Sequence, residues 1–337
     1  MESTQLLSAT GITRNYGNIT AVNQIDFSLQ QGEILGFLGP NGAGKSTTMS
    51  ILTGNLAPHS GSIKVCGIDL LDKPKQAKSL IGYLPEIPPL YPQLNVTEYL
   101  KYCAQLHGIS KKQIKRAIEK AVQRCNLQDV RKKLIGSLSK GYQQRVGIAQ
   151  AIIHSPKILI LDEPTVGLDP NQIIETRELI TSLGKECGVI ISTHILPEVE
   201  EICNRILIMN SGSLVFNSPL PISNKPDVAV SLAAPPALDI FAKLFSNTPV
   251  LQKSKHQFIF SPEFDYEFKA KITQAAVENN WGLEELISIQ PSLQGIFSNY
   301  VCSDISASTS SEEQITENTQ PDPEHKGTNP AGEASED

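Results

Sequence analysis

Three short stretches in the first 220 residues of the chain are apolar at consecutive rather than alternate positions: Glu33–Leu38 (EILGFL), Lys157–Leu161 (KILIL) and Val189–Ser192 (VIIS). Unbroken apolar runs of this length predict strands buried on both faces of a parallel sheet. Gln172–Leu183, between the second and third, has helical spacing, and strand alternating with helix predicts an α/β domain. The segment Asn95–Gln128 breaks that alternation. There Ile114, Ile118, Ala121, Val122 and Cys125 recur at steps of three and four, which predicts a helical subdomain, about residues 87–150, set into the α/β core. Ile206–Phe216 (ILIMNSGSLVF) reads as two strands around Asn-Ser-Gly, a hairpin.

The pattern changes beyond Pro219–Pro226 (PLPISNKP), whose composition is that of a linker. Val228–Leu232 reads as a strand, Ala237–Phe245 as a helix, and Val250–Leu251 and Gln257–Phe260 as two strands. Phe264–Asn279 reads as a helix and Leu283–Ile289 as a strand. The order βαββαβ predicts a small α+β domain of the ferredoxin-like kind over residues 227–302, with a last helix at Ser292–Tyr300. Residues 303–337 are rich in Ser, Thr, Glu and Pro without periodicity, and are expected to be disordered.

Charge changes this picture in one respect. The chain of 337 residues carries a net charge of −6, but the final 35 residues hold nine acids and one lysine. The remainder is therefore close to neutral, at +2, and no basic stripe points to nucleic acid. No run of about 18 apolar residues occurs, so no membrane-spanning helix is expected. The first residues lack a basic region followed by an apolar run, so no secretory leader and a cytoplasmic location are expected. The six cysteines form no Cys-x-x-Cys pair and are read as reduced, buried small side chains.

The chemistry is concentrated in two places. Gly39-Pro40-Asn41-Gly42-Ala43-Gly44-Lys45-Ser46-Thr47 fits G-x-x-x-x-G-K-[ST] between a strand and a helix. The glycines let successive backbone N–H groups turn toward phosphate oxygens, and the helix beginning near Lys45 adds its positive end. Lys45 supplies a point charge to the β- and γ-phosphates, and the Ser46 hydroxyl suits Mg²⁺. The second place is Lys157–Glu163 (KILILDE), an apolar strand ending in two acids. Asp162 would hold Mg²⁺, directly or through water, and Glu163 would orient or deprotonate an attacking water.

The order of P-loop, LSKGY, ILILDEP, GLDP and STH resembles the ATPase subunits of ABC transporters over about residues 5–217. The IGYLPE and LSKGYQQR forms look like bacterial ABC-2-type export subunits, including those of the gliding-motility type. The resemblance implies a P-loop NTPase core over residues 1–218 and binding of ATP with Mg²⁺. It also implies a head-to-tail homodimer with ATP between the subunits, and a membrane-spanning permease on a separate chain, which holds the protein to the inner face of the membrane. Tyr16, in a loop after the first strand, would stack on adenine. Ser139 and Gly141 of the signature loop would cap the γ-phosphate on the partner subunit. Asp169 would cross the dimer interface, and His194 would bond the γ-phosphate or the attacking water. Where the family usually has glutamine after Gly-Tyr-x-Pro, this chain has Glu86. A carboxylate accepts but does not donate as an amide does, so Glu86 is read as a coupling residue rather than a catalytic one.

A soluble ABC-type ATPase without a transport role is the other reading. Repair members would carry a long coiled coil between the two halves of the ATPase, and ribosomal members two ATPase units. This chain has about 90 residues between the P-loop and LSKGY, and one unit.

Overall fold

A computed structural model describes residues 4–221, 227–245, 248, 250–252, 254–260, 265–289 and 293–301. Residues 222–226 of the linker assigned to 219–226, and the whole of the tail at 303–337 with the disorder expected of it, lie outside the described residues.

A six-stranded sheet forms the centre of the larger part, in the order β10-β9-β3-β8-β7-β6. Its strands are β3 (Ile34–Leu38), β6 (Ile81–Leu84), β7 (Ile158–Asp162), β8 (Gly188–Thr193), β9 (Arg205–Asn210) and β10 (Ser213–Pro219). All neighbours are parallel except β10, which returns antiparallel along β9. Every residue of β3, β7 and β8 is buried. The reason is visible in the period of two. Leu35, Phe37, Ile158, Ile160, Ile190 and Leu207 enter a core on one face, while Ile34, Leu38, Leu159, Leu161, Val189 and Ile191 enter a second core on the other. A strand covered on both faces has no position where a polar residue is free of cost.

One face is covered by α1 (Lys45–Leu52) and by a second, four-stranded antiparallel sheet, ordered β2-β1-β4-β5. Its strands are β1 (Gln5–Tyr16), β2 (Ile19–Gln30), β4 (Ser60–Val65) and β5 (Ile68–Asp69). The alternation of strand with helix does not extend to this layer, where no helix separates β1 from β2 or β4 from β5. The β1–β2 ladder shifts register at four points, and each bulge flips the side-chain alternation, so no clean period of two survives in the sequence. Tyr16 also moves: it is the last residue of β1, not part of a loop. Cys66, left exposed at a φ of +48° beyond β4, departs from the buried reading that holds for Cys103, Cys125, Cys187 and Cys203.

α2 (Pro74–Lys78) joins the antiparallel sheet, with Ala77 in the first core, and the other face carries α3 (Val96–Leu106), α4 (Lys111–Arg124), α5 (Lys140–Ile152), α6 (Pro170–Gly184) and α7 (Leu196–Ile202), which supply the second core. The entry to α3 is a capping box: the Asn95 side chain accepts from Glu98 N at 2.9 Å, and Glu98 accepts from Asn95 N at 3.0 Å. α4 buries Ile114, Ile118, Ala121 and Val122 along one stripe and leaves its lysines in solvent.

The remaining described elements are β11 (Asp227–Leu232), α8 (Leu238–Leu244), β12 (Val250–Gln252), β13 (Gln257–Phe260), α9 (Asp265–Glu278), β14 (Leu283–Ile289) and α10 (Leu293–Val301). The four strands form an antiparallel sheet, β12-β13-β11-β14. Its core is aromatic: Phe241 meets Phe258, Phe260 and Trp281 at centroid separations of 4.8, 5.3 and 5.4 Å. α10 leaves this unit and packs on α7 and β9, placing Leu293 in the same core as Val199, Ile206 and Ile208.

Candidate functional site

Because β3, β6, β7 and β8 are parallel, their C-terminal ends lie along one edge of the sheet, where crevices form in folds of this kind. The residues that follow them face a cavity of about 460 Å³ lined by Asn41, Gly42, Gly44, Lys45, Ser46, Thr47, Glu86, Glu163, Val166 and His194, with Ala21 from β2. Residues more than 150 positions apart thus meet through strand direction alone.

The loop after β3 is shaped by its glycines. Gly44 has a φ of +102°, and a Cβ there would stand 2.3 Å from the Ala21 carbonyl oxygen, so neither the conformation nor the space admits a side chain. α1 begins directly after it, and its unpaired N-terminal amides open toward the cavity mouth. Lys45 is buried. Its ammonium donates to the carbonyls of Gly39 at 2.8 Å and Pro40 at 3.1 Å, and stands 3.8 Å from Glu163 Oε1. Burial lowers its pKa from the ordinary lysine value, and the charges of Glu163, Asp162 and Glu86 oppose that shift.

The acidic pair occupies the end of β7. Asp162 and Glu163 are both buried, at 3% and 7% exposure. Ser46 Oγ donates to Asp162 Oδ1 at 3.3 Å, and the Ser192 hydroxyl donates to the same oxygen. The Glu163 N–H donates to both the carbonyl and the hydroxyl of Ser192 at 3.1 Å. Glu163 holds a φ of +48°, a left-handed conformation that costs a residue with a side chain about 1 kcal/mol or more unless its surroundings fix it. Its carboxylate lies 3.1 Å from His194 Nδ1 through each oxygen.

The other residues singled out in the sequence do not line this cavity. Ser139 is the N-cap of α5 and accepts from Tyr142 N. Asp169 is the N-cap of α6 and accepts from Gln172 N at 2.9 Å. These two helix starts are packed together: the Gln172 side chain lies against Gly141, and the Lys140 ammonium lies over Gly167. Ser139, Gly141 and Asp169 thus form a second cluster, with both caps exposed. Tyr16 stands apart, half exposed at the end of β1, with the Arg14 guanidinium 5.1 Å above its ring.

Four residues that sequence reasoning passed over support the cavity from behind. Ser192 belongs to the STH run, but only His194 was singled out from it. Gln144, Thr165 and Glu198 are buried polar residues in helices and a turn, and no spacing distinguishes them from neighbouring polar positions.

The chemistry of this edge is specific. Backbone amides and an ammonium suit a phosphate chain. The convergence of a hydroxyl and a carboxylate at Ser46 and Asp162 suits a hard divalent cation that keeps several waters. A buried carboxylate held by a histidine suits the orientation of a water. The ABC transporter family model matches residues 22–166. The bacitracin transport ATP-binding protein BcrA of Bacillus licheniformis is 41% identical over 216 residues, 64% of this chain and 70% of BcrA. The uncharacterized ABC transporter ATP-binding protein YxlF of Bacillus subtilis is 38% identical over 64% of this chain and 71% of its own length. Among solved structures, an ATP-binding subunit of an ABC transporter aligns with a TM-score of 0.59 at 31% identity, covering 64% of this chain and 90% of that one.

Proposed function

The chain belongs to the ATP-binding proteins of ABC transporters, and from that premise we propose how its own residues carry out the reaction. It is an ATP-binding and ATP-hydrolysing subunit that drives a transporter. The observation that carries the residue-level reading is the convergence of Lys45, Ser46, Glu163 and His194 on one cavity.

The backbone N–H groups of the Gly39–Thr47 loop, Pro40 having none, and the Lys45 ammonium bind the triphosphate, and Tyr16 stacks on the adenine ring, releasing the contact with Arg14. Ser46 and Asp162 hold Mg²⁺, which neutralises phosphate charge when bound. Glu163 orients the attacking water in line with the γ-phosphate, and His194 holds Glu163 and bonds the phosphate or the water. A barrier lowered in this way depends on position and charge rather than on covalent chemistry.

The exposed cluster of Ser139, Gly141 and Asp169 belongs to a different surface from the cavity, which supports a head-to-tail pair of chains. Each subunit then closes its partner's site, with Ser139 and Gly141 at the γ-phosphate and Asp169 at the interface. ATP drives closure because the closed pair binds it more tightly than the open one. Among the described residues no helix is long and apolar enough to cross a membrane. We assign the membrane-spanning permease to a separate chain and place this one on the inner, cytoplasmic face of the membrane through it. The helical subdomain meets the permease, and Glu86, which lines the cavity, joins the two. Export is the direction we favour, supported by the IGYLPE and LSKGYQQR forms and by 34% identity to a Nod factor export ATP-binding protein. Residues 227–289 have the strand order of a ferredoxin-like unit, and we assign them to dimerisation.

Glu163→Gln tests this reading. ATP binding measured by calorimetry should be retained and turnover should fall by about 10²–10⁴-fold, with an ATP-stabilised dimer on size exclusion. Wild-type turnover would remove Glu163 from its role.

A further inference from the structure

Among the described residues three carboxylates are buried, Asp162, Glu163 and Glu198, and only Glu198 has no part in the reaction given above. Glu198, on α7, is 2% exposed, and among the described residues it forms no ion pair. A carboxylate withdrawn from water in this way is retained only if donors replace the water. Here there are two donors, and both come from the edges of the cavity. Thr165 Oγ1 donates to Glu198 Oε1, and Thr193 Oγ1 donates to Glu198 Oε2 at 2.9 Å. Both threonines are buried, at 3% and 1% exposure.

The positions of the two threonines matter more than the bonds. Thr165 lies two residues after Glu163, and Thr193 lies one residue before His194. Glu198 therefore ties the turn that leaves Glu163 to the strand end that presents His194, from the side opposite the cavity. The turn is held at a further point: Gln144 Nε2, on α5, donates to the Pro164 carbonyl at 2.8 Å. Ser192 holds the turn's first residue, through the Glu163 N–H. Glu163 sits in its left-handed conformation between these restraints. Such a conformation persists only when the surroundings over-determine it.

We propose that Glu198 is a positioning residue for ATP hydrolysis: by clamping Thr165 to Thr193 it fixes the Glu163 carboxylate relative to His194. The proposal rests on the role given to Glu163 above. Glu198 acts through hydrogen bonds, not through charge. An amide in its place would accept from one threonine and donate to the other, whose hydroxyl can turn. Loss of the clamp lets the carboxylate drift, and a displacement near 1 Å is enough to cost about 10²-fold in rate. Glu198 and its threonines do not line the cavity, so ATP affinity is expected to be untouched.

The test uses the full chain and reads kcat, the KM for ATP and the Kd for ATP separately. Glu198→Ala should lower kcat by about 10²-fold with KM and Kd unchanged, while Glu198→Gln should restore turnover close to wild type. Thr165→Val, which keeps the volume and removes one donor, should lower kcat in the same way and decides the matter if Glu198→Ala does not fold. In a Glu163→Gln background, Glu198→Ala should produce no further loss. A wild-type kcat in Glu198→Ala, an equal further loss in the Glu163→Gln background, or a parallel fall in ATP affinity would each overturn the proposal. A wild-type kcat in Glu163→Gln with a reduced kcat in Glu198→Ala would instead overturn the reading of Glu163.

Discussion

His194 Nδ1 is equidistant from the two carboxylate oxygens of Glu163, 3.1 Å from each. A nitrogen facing both oxygens of a carboxylate is the protonated one, so in the neutral ring Nε2 is the bare acceptor. The imidazole thus orients Glu163 with one nitrogen and offers the other as an acceptor, which of the two partners named above, phosphate or water, suits the attacking water. Replacing it with alanine removes both. We expect His194→Ala to lower kcat by about 10²-fold with ATP affinity preserved, measured by steady-state hydrolysis and calorimetry.

Lys45 has a structural task as well as an electrostatic one, because its ammonium serves the carbonyls of Gly39 and Pro40. In Lys45→Ala those carbonyls lose a charged donor. Nucleotide binding should be abolished in calorimetry, and thermal unfolding should show a loss of about 1–3 kcal/mol. Wild-type ATP affinity in a folded Lys45→Ala protein would contradict the assignment of the phosphate site.

Two glycines should separate folding from function. At Gly44 a methyl group meets the Ala21 backbone at 2.3 Å with φ at +102°, so Gly44→Ala should destabilise the protein and remove ATP binding together. At Gly141 the obstacle is the end of the flexible Gln172 side chain, its Oε1 at 2.3 Å, which can swing aside. Gly141→Ala should melt close to wild type yet form less ATP-dependent dimer on size exclusion.

The stacked pair His107 and His154 makes stability depend on pH. Their rings lie 3.8 Å apart and nearly parallel. His154 Nε2 donates to the Ile81 carbonyl at 3.1 Å, and Nδ1 is buried without a partner. Burial, reinforced by His107, pushes the His154 pKa down from 6.5 to about 4. The unfolded chain takes up this proton near the ordinary value and the folded chain only near 4. The contribution is therefore complete above pH 6.5 and is lost as pH falls from 6.5 toward 4. Allowing for partial exposure, we expect a loss of about 2 kcal/mol, seen as a falling Tm across that window. His154→Gln should flatten this dependence.

The central sheet was legible because strands covered on both faces are written as unbroken apolar runs, as in Ile158–Leu161 and Val189–Ile191. The phosphate loop and the acidic pair were legible because their chemistry needs fixed residue types at fixed spacing. The antiparallel sheet was not, since the bulges of β1 and β2 scramble alternation around Ala9–Ile12 and Ile12–Arg14. Glu198 was hidden for another reason. Beside Glu200 and Glu201 it looks like one more acid on a solvated helix, and only the fold turns it inward to Thr165 and Thr193. Spacing along a chain reports which residues share a face, but not which polar residue on a short helix is turned inward.

α10 crosses back from the aromatic unit to the sheet that carries the catalytic edge. It seats Leu293 among residues of α7 and β9, and the Tyr300 carbonyl accepts from Asn210. Anyone shortening this protein at the linker would pull out that plug and leave a greasy scar on the motor. A minimal motor would need the nine residues of α10 grafted back, or a polar patch in place of the surface they shield.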